Sequence, residues 1–83
     1  MANSGEKDLV LYVRPGCPYC QRVFSFLEEN GMEIPQRDIS RDPNAREELE
    51  RRGGKGQVPC LFIDGQPLYE SLDIIDYLAG ERA

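Results

Sequence analysis

The sequence predicts an α/β fold: a four-stranded mixed sheet flanked by three helices, in the order β-α-β-α-β-β-α. Three observations predict it. Two short apolar, β-rich runs, Leu9-Val10-Leu11-Tyr12-Val13 and Cys60-Leu61-Phe62-Ile63, read as strands. Between them lie two segments, 18–30 and 43–52, with helical spacing or helix start and stop signals. Asp64-Gly65 is a two-residue hairpin signal that joins the second run to a further strand.

The elements follow in order. The first strand is ended by Arg14-Pro15-Gly16. From residue 18 to residue 30, Val23, Phe24 and Leu27 recur at helical spacing with Cys20 on the same face. Asn30-Gly31 then supplies a stop, because glycine tolerates the left-handed conformation at a helix end. Residues 33–39 form a weaker strand with Pro35 near its start or on an edge. Asp42-Pro43 reads as an N-cap followed by proline at the first helical position. The helix it opens runs over 43–52, is anchored by Leu49 and is stopped by Gly53-Gly54-Lys55-Gly56. Gln66-Pro67-Leu68-Tyr69 is a strand antiparallel to 60–63. Ser71 caps a last helix with an expected apolar stripe of Leu72, Ile75, Leu78 and Ala79, ending at Gly80. The first β-α-β unit requires a parallel pairing with a right-handed crossover. This order, with a C-x-x-C opening the first helix, is also that of the thioredoxin-like fold.

Composition narrows the possible functions. The chain of 83 residues is 40% hydrophobic and 30% charged, which fits one small soluble domain over 9–83. Residues 1–8 are polar and expected to be a flexible segment, neither a secretory signal nor an anchor. No apolar run approaches the about 18 residues that a membrane span needs. Fifteen acids against ten bases give a net charge of −5, which argues against nucleic acid as a general partner. Histidine is absent, so a His base or a His-ligated metal is excluded. The three cysteines are Cys17, Cys20 and Cys60, an odd number that makes a poor disulfide framework. The expected compartment is a reducing cytoplasm, where a C-x-x-C is redox-active or metal-binding.

The chemistry centres on Cys17-Pro18-Tyr19-Cys20. The pattern follows a strand and opens a helix, where unpaired N–H groups and the positive end of the helix dipole stabilise an anion. Cys17 is therefore expected to be an exposed thiol of lowered pKa, with Arg14 adding a positive charge nearby. Cys20 lies nearly one turn later, points inward with Val23 and Leu27, and should remain a shielded thiol. It can then attack a mixed disulfide formed on Cys17. Tyr19 can line the rim. A zinc site needs four ligands, and only Cys60 remains to join the pair, so no metal site is expected. An iron–sulfur cluster shared between two chains is a further alternative.

Two other features bear on the site. Val58-Pro59 stands at the start of the third strand. Base rates favour a trans bond there; a cis bond would be a deliberate feature, offering the Val58 N–H and C=O to an extended peptide. Glu70-Ser71, with Asp73 just inside the last helix, is either an ordinary cap or a carboxylate site with acids to pair an ammonium group. Cys60 reads as a small buried apolar residue, with a regulatory thiol as the other possibility.

Together these residues resemble the glutaredoxin family over about residues 9–78. The resemblance rests on Cys17-Pro18-Tyr19-Cys20 after a strand, Val58-Pro59 about forty residues on, and the hairpin followed by Leu68-Tyr69-Glu70-Ser71-Leu72-Asp73. It implies a cis Pro59 and a glutathione groove. In that groove Val58 would pair with the cysteinyl unit of glutathione, and Glu70 and Ser71, with Asp73, would hold the γ-glutamyl end. Arg14 and Gln57, with Arg51 or Arg52 as further candidates, would meet the glycine carboxylate. The chain departs from the family in having Gln57 where a threonine is usual. Its Tyr69-Glu70-Ser71 resembles the N-terminal domain of glutathione transferases instead.

The expectation is thus a monomeric, glutathione-dependent thiol–disulfide oxidoreductase with no bound cofactor. Glutathione serves as co-substrate, and the targets are disulfide-containing or glutathionylated proteins. The alternative is a carrier of a [2Fe–2S] cluster held by Cys17 and two glutathiones, against which Pro18 argues by resemblance. A third possibility is a reductant or docking module for one specific partner.

Overall fold

A computed structural model describes residues 8–82. The elements are β1 (Leu9–Val13), α1 (Pro18–Glu29), β2 (Gln36–Asp38), α2 (Pro43–Gly53), β3 (Cys60–Ile63), β4 (Gln66–Tyr69) and α3 (Ser71–Arg82). The sheet order is β2-β1-β3-β4. β1 pairs with β2 in parallel, and the β1–β3 and β3–β4 pairs are antiparallel. This is the thioredoxin-like arrangement the sequence predicted, with β2 at one edge; of the strand expected over 33–39 only residues 36–38 pair, and Pro35 lies just before them. Of the segment 1–8 expected to be flexible, residues 1–7 lie outside the described residues. Asp8 is held by a backbone bond from Asp64 N–H at 2.8 Å.

Strand alternation divides the core between the two faces of the sheet. Leu11, Val13 and Leu61 face one side and pack with Cys20, Val23 and Leu27 of α1 and Ile74 and Leu78 of α3. Tyr12, Cys60 and Phe62 face the other and pack with Ala45 and Leu49 of α2. β1 reads as a continuous apolar run because both of its faces are covered.

The second helix begins as its sequence dictates. The Asp42 carboxylate accepts hydrogen bonds from the N–H groups of Asn44 and Ala45, and Pro43 follows it. The helix ends at Gly54, whose φ of 92° lies in the left-handed region that favours glycine. Polar contacts that sequence reasoning missed tie α2 to the sheet. Arg37 of β2 reaches Glu48 at 2.6 Å and Asp42 at 3.2 Å, and the Tyr12 hydroxyl donates to Glu48 at 3.0 Å.

The last helix differs from its prediction in three ways. Glu70 takes the cap position: its carbonyl accepts the first helical bond, from Ile74 N–H at 3.0 Å, and Ser71 is the first helical residue. The inward stripe is Ser71, Ile74 and Leu78, whereas Leu72 is 64% exposed and Ala79 is also exposed. Gly80 does not end the helix, which continues to Arg82. The shift of the stripe comes from the polar Ser71 on the inward face. It breaks the apolar period, and taking Leu72 in its place rotates the expected stripe by one residue.

Candidate active site

The site starts where β1 ends. The chain turns through Arg14, Pro15 and Gly16, closed by a bond from Cys17 N–H to the Arg14 carbonyl at 3.0 Å. The Gln21 side chain reinforces the turn by donating to the Pro15 carbonyl at 2.8 Å. Cys17 occupies the N-cap of α1 in extended backbone (φ −88°, ψ 122°), with Pro18 at the helix start. Its carbonyl accepts from Gln21 N–H at 3.1 Å, so its own side chain lies over the helix end. All three cysteines are free thiols.

The Cys17 sulfur faces the Val58 carbonyl at 3.9 Å. The Val58–Pro59 bond is cis. A groove of about 240 Å³ opens here, lined by Tyr19, Gln57, Val58, Pro59, Glu70 and Ser71. Three separate parts of the chain build it: the start of α1, the loop before β3 and the entry to α3. Ser71 is buried on its floor at 5% exposure. Glu70 adopts φ 75°, a conformation that side-chain-bearing residues rarely take and that is found disproportionately at functional sites.

The two thiols have opposed acidities. Burial is the largest single influence on Cys17 and pushes its pKa up. The N–H of Cys20, the Cys20 thiol, the N–H of Tyr19 and the Arg14 charge together outweigh it, and Cys17 lies below the ordinary thiol value. Burial pushes Cys20 up to about 11, and the sulfur and charge of Cys17 push the same way. The pair therefore consists of one sulfur readily ionised and one held protonated. This is what nucleophilic attack followed by internal resolution requires. Cys60 is also pushed up to about 11 by burial, and it lies on the opposite face of the sheet, in the α2 cluster.

Of the ten residues expected at the site, six line the groove, and Cys17 meets it through Val58. Cys20 lies behind Cys17 with no exposure at all. Cys17 itself was expected to be exposed and is only 6% exposed, because its sulfur is tucked against the Val58 backbone. Arg14 and Asp73 are exposed and outside the lining; Arg14 acts through its charge on Cys17. Arg52 is turned away, bound to Glu48 at 3.2 Å and stacked over Phe62 on the other face of the sheet. Arg22, which the sequence reading missed, lies one helical turn after Tyr19 with its guanidinium 5.4 Å from the Tyr19 ring centre. The i, i+3 spacing of the two residues is the signal that reveals it. A larger cavity of about 420 Å³ lies at the far end of α1 between Phe24, Met32 and Ile34. None of its lining residues contacts a cysteine sulfur by a hydrogen bond, whereas Val58 of the smaller groove faces the Cys17 sulfur at 3.9 Å, so the chemistry is assigned to the smaller groove.

Comparison with known proteins agrees with this geometry. Residues 9–68 match the family model of glutaredoxin. Glutaredoxin 3 of Escherichia coli strain K12 is 36% identical over 56 residues, 68% of each chain. The solution structure of glutaredoxin from Brucella melitensis superposes with a TM-score of 0.64 at 32% identity, over 96% of this chain and 86% of that one. Rice GST1, solved in complex with glutathione, superposes with a TM-score of 0.72 at 33% identity. That match covers 92% of this chain and 34% of the larger protein.

Proposed function

The chain belongs to the glutaredoxin family, and from that premise we propose that it is a glutathione-dependent thiol–disulfide oxidoreductase working through Cys17 and Cys20. The observation that carries the reading is the pairing of a Cys17 sulfur of lowered pKa, 3.9 Å from the Val58 carbonyl, with a Cys20 thiol held at about 11.

The mechanism follows from these positions. With a glutathionylated protein, the Cys17 thiolate attacks the glutathione sulfur. A Cys17–glutathione disulfide forms, the old S–S bond breaks, and the protein leaves as a thiolate that takes a proton from water. A second glutathione thiolate then attacks that adduct on its glutathione sulfur, giving glutathione disulfide and restoring Cys17. With a protein disulfide, Cys17 forms a mixed disulfide with one of the two sulfurs. Cys20 loses its proton as it attacks Cys17, and the reduced protein departs. One glutathione opens the Cys17–Cys20 disulfide by forming a mixed disulfide on Cys17, and a second attacks its glutathione sulfur, leaving glutathione disulfide and the restored dithiol. The Val58 backbone pairs with the cysteinyl unit of glutathione. Glu70 and the N–H groups around Ser71 take the γ-glutamyl end, supported by the acid of Asp73. Gln57 faces the glycine carboxylate, Arg14 supplies positive charge, and Pro59 and Tyr19 shape the walls. Glutathione is co-substrate and no bound cofactor is required. The same proposal makes the protein a cytoplasmic monomer. No helix among the described residues is long and apolar enough to cross a membrane. The family match does not favour the cluster-carrier alternative.

A coupled assay with glutathione and glutathione reductase tests this. Cys17→Ser should abolish turnover of a glutathionylated peptide. Cys20→Ser should keep that activity and lose reduction of a protein disulfide. Full activity in Cys17→Ser, or loss of deglutathionylation in Cys20→Ser, would overturn the assignment.

A further inference from the structure

We propose that Tyr69 is a positioning residue that fixes the two walls of the groove against each other. The proposal rests on the reading of that groove as the glutathione site. Tyr69 has three separate attachments. Along the chain it immediately precedes Glu70, on the α3 wall. Across the sheet it stands opposite Cys60, the residue after Pro59. Through its hydroxyl it donates a 2.8 Å hydrogen bond to the Lys55 carbonyl, two residues before Gln57 on the other wall.

The neighbouring residues are shaped around that contact. Gly53, the last residue of α2, leaves open the space where a Cβ would run into the Tyr69 hydroxyl. Glycine is a poor helix former, so its place inside the last turn calls for such a reason. Gly54 then turns the chain out of the helix at φ 92°, its N–H bound to the Glu50 carbonyl at 3.1 Å. The Lys55 ammonium lies 4.7 Å from the centre of the Tyr69 ring, within cation–π range. The loop between α2 and Val58 is rich in glycine and would be loose if left alone. The tyrosine holds it where Gln57 and the Val58 backbone can meet an extended ligand.

Tyr69→Phe and Gly53→Ala test this with two readouts. In turnover of a glutathionylated peptide, Tyr69→Phe should raise KM by about three- to ten-fold, the effect of one neutral hydrogen bond. Its kcat and the titration midpoint of Cys17 should stay unchanged. Gly53→Ala should raise KM similarly by displacing the hydroxyl, although alanine is the better helix former. The double variant should be no worse than either single one, since both remove the same contact. In ligand-free protein, amide order parameters at residues 54–58 should fall in Tyr69→Phe while those of β1 hold. Unchanged order parameters in a folded Tyr69→Phe overturn the proposal. So does an unchanged KM, or a double variant whose defect is the product of the two single ones. If the wild type does not turn over the peptide at all, the function proposed above fails. The order parameters then decide the role of Tyr69 by themselves.

Discussion

The opposed acidities of Cys17 and Cys20 make a quantitative prediction about alkylation. A thiol titrating at about 11 is ionised to about one part in 10⁴ at pH 7, and one titrating below the ordinary value of 9.0 to more than about one part in 10². Cys17 therefore carries at least about a hundred times more thiolate. Intrinsic nucleophilicity falls with pKa and returns about six- to ten-fold of that advantage over two units. Cys17 should thus react at least about ten times faster than Cys20, and the complete burial of Cys20 widens the gap. The assay is substoichiometric iodoacetamide on the reduced protein at several pH values, with the modified peptide identified by mass spectrometry. The influences on Cys17 also have an order. Besides burial and the Cys20 N–H, which a substitution there keeps, the Cys20 thiol acts more strongly than the Arg14 charge. Cys20→Ala should therefore raise the Cys17 midpoint more than Arg14→Gln does. Labelling of Cys20 at half the Cys17 rate, or a Cys17 midpoint at or above 9.0, would refute the reasoning.

Three further outcomes follow from the structure. Cys60 is raised by burial from 9.0 to about 11. The unfolded chain therefore loses this proton first, and the stability that the buried thiol contributes below pH 9.0 drains away towards pH 11, by at most about 2.7 kcal/mol. Cys60→Ala, about 1 kcal/mol less stable at pH 7, should close that deficit in urea melts at pH 11; a gap constant with pH would contradict this. Leu49→Ala removes the fully buried anchor of α2 and should cost about 2–5 kcal/mol in urea unfolding, and a loss below about 1 kcal/mol would mean that α2 is not anchored there. Glu70→Gly relieves a positive φ of 75° and should stabilise the domain by up to about 1 kcal/mol while raising KM for glutathione substrates. A lower melting temperature with unchanged KM would argue that Glu70 is neither strained nor in contact with the ligand.

Much of this architecture was legible because its signals are local. Asp42-Pro43 marks the start of α2, and Asp64-Gly65 fixes β3 and β4 to the residue. The N-cap position of Cys17 could be read from a strand, a turn and a proline in series. What the sequence concealed depends on neighbours distant in the chain. The phase of α3 was misread because Ser71 faces inward for the sake of the groove, and polarity at a buried position imitates an exposed one. The burial of Cys17 is set by Val58, forty-one residues away. The bonds of Arg37 to Glu48 and of Tyr69 to Lys55 join elements whose proximity only the folded sheet defines.

Cys17 and Cys20 belong to the same apolar cluster as Leu11, Val13, Val23 and Ile74. Under the proposed mechanism every turnover is thus a reversible alteration of the domain's own interior. A depressed Cys17 pKa means that the native state favours the bare anion. Above the native titration point that preference strengthens folding, and it is lost as pH falls through that point. In Cys20→Ser, where no neighbouring thiol can displace it, blocking the Cys17 sulfur with a methylthio group, too small to reach along the groove, removes the same increment by covalent means. In alkaline buffer the blocked protein should melt earlier than the free one, and by thermodynamic reciprocity the difference measures how strongly the native scaffold drives its nucleophile back to the discharged form.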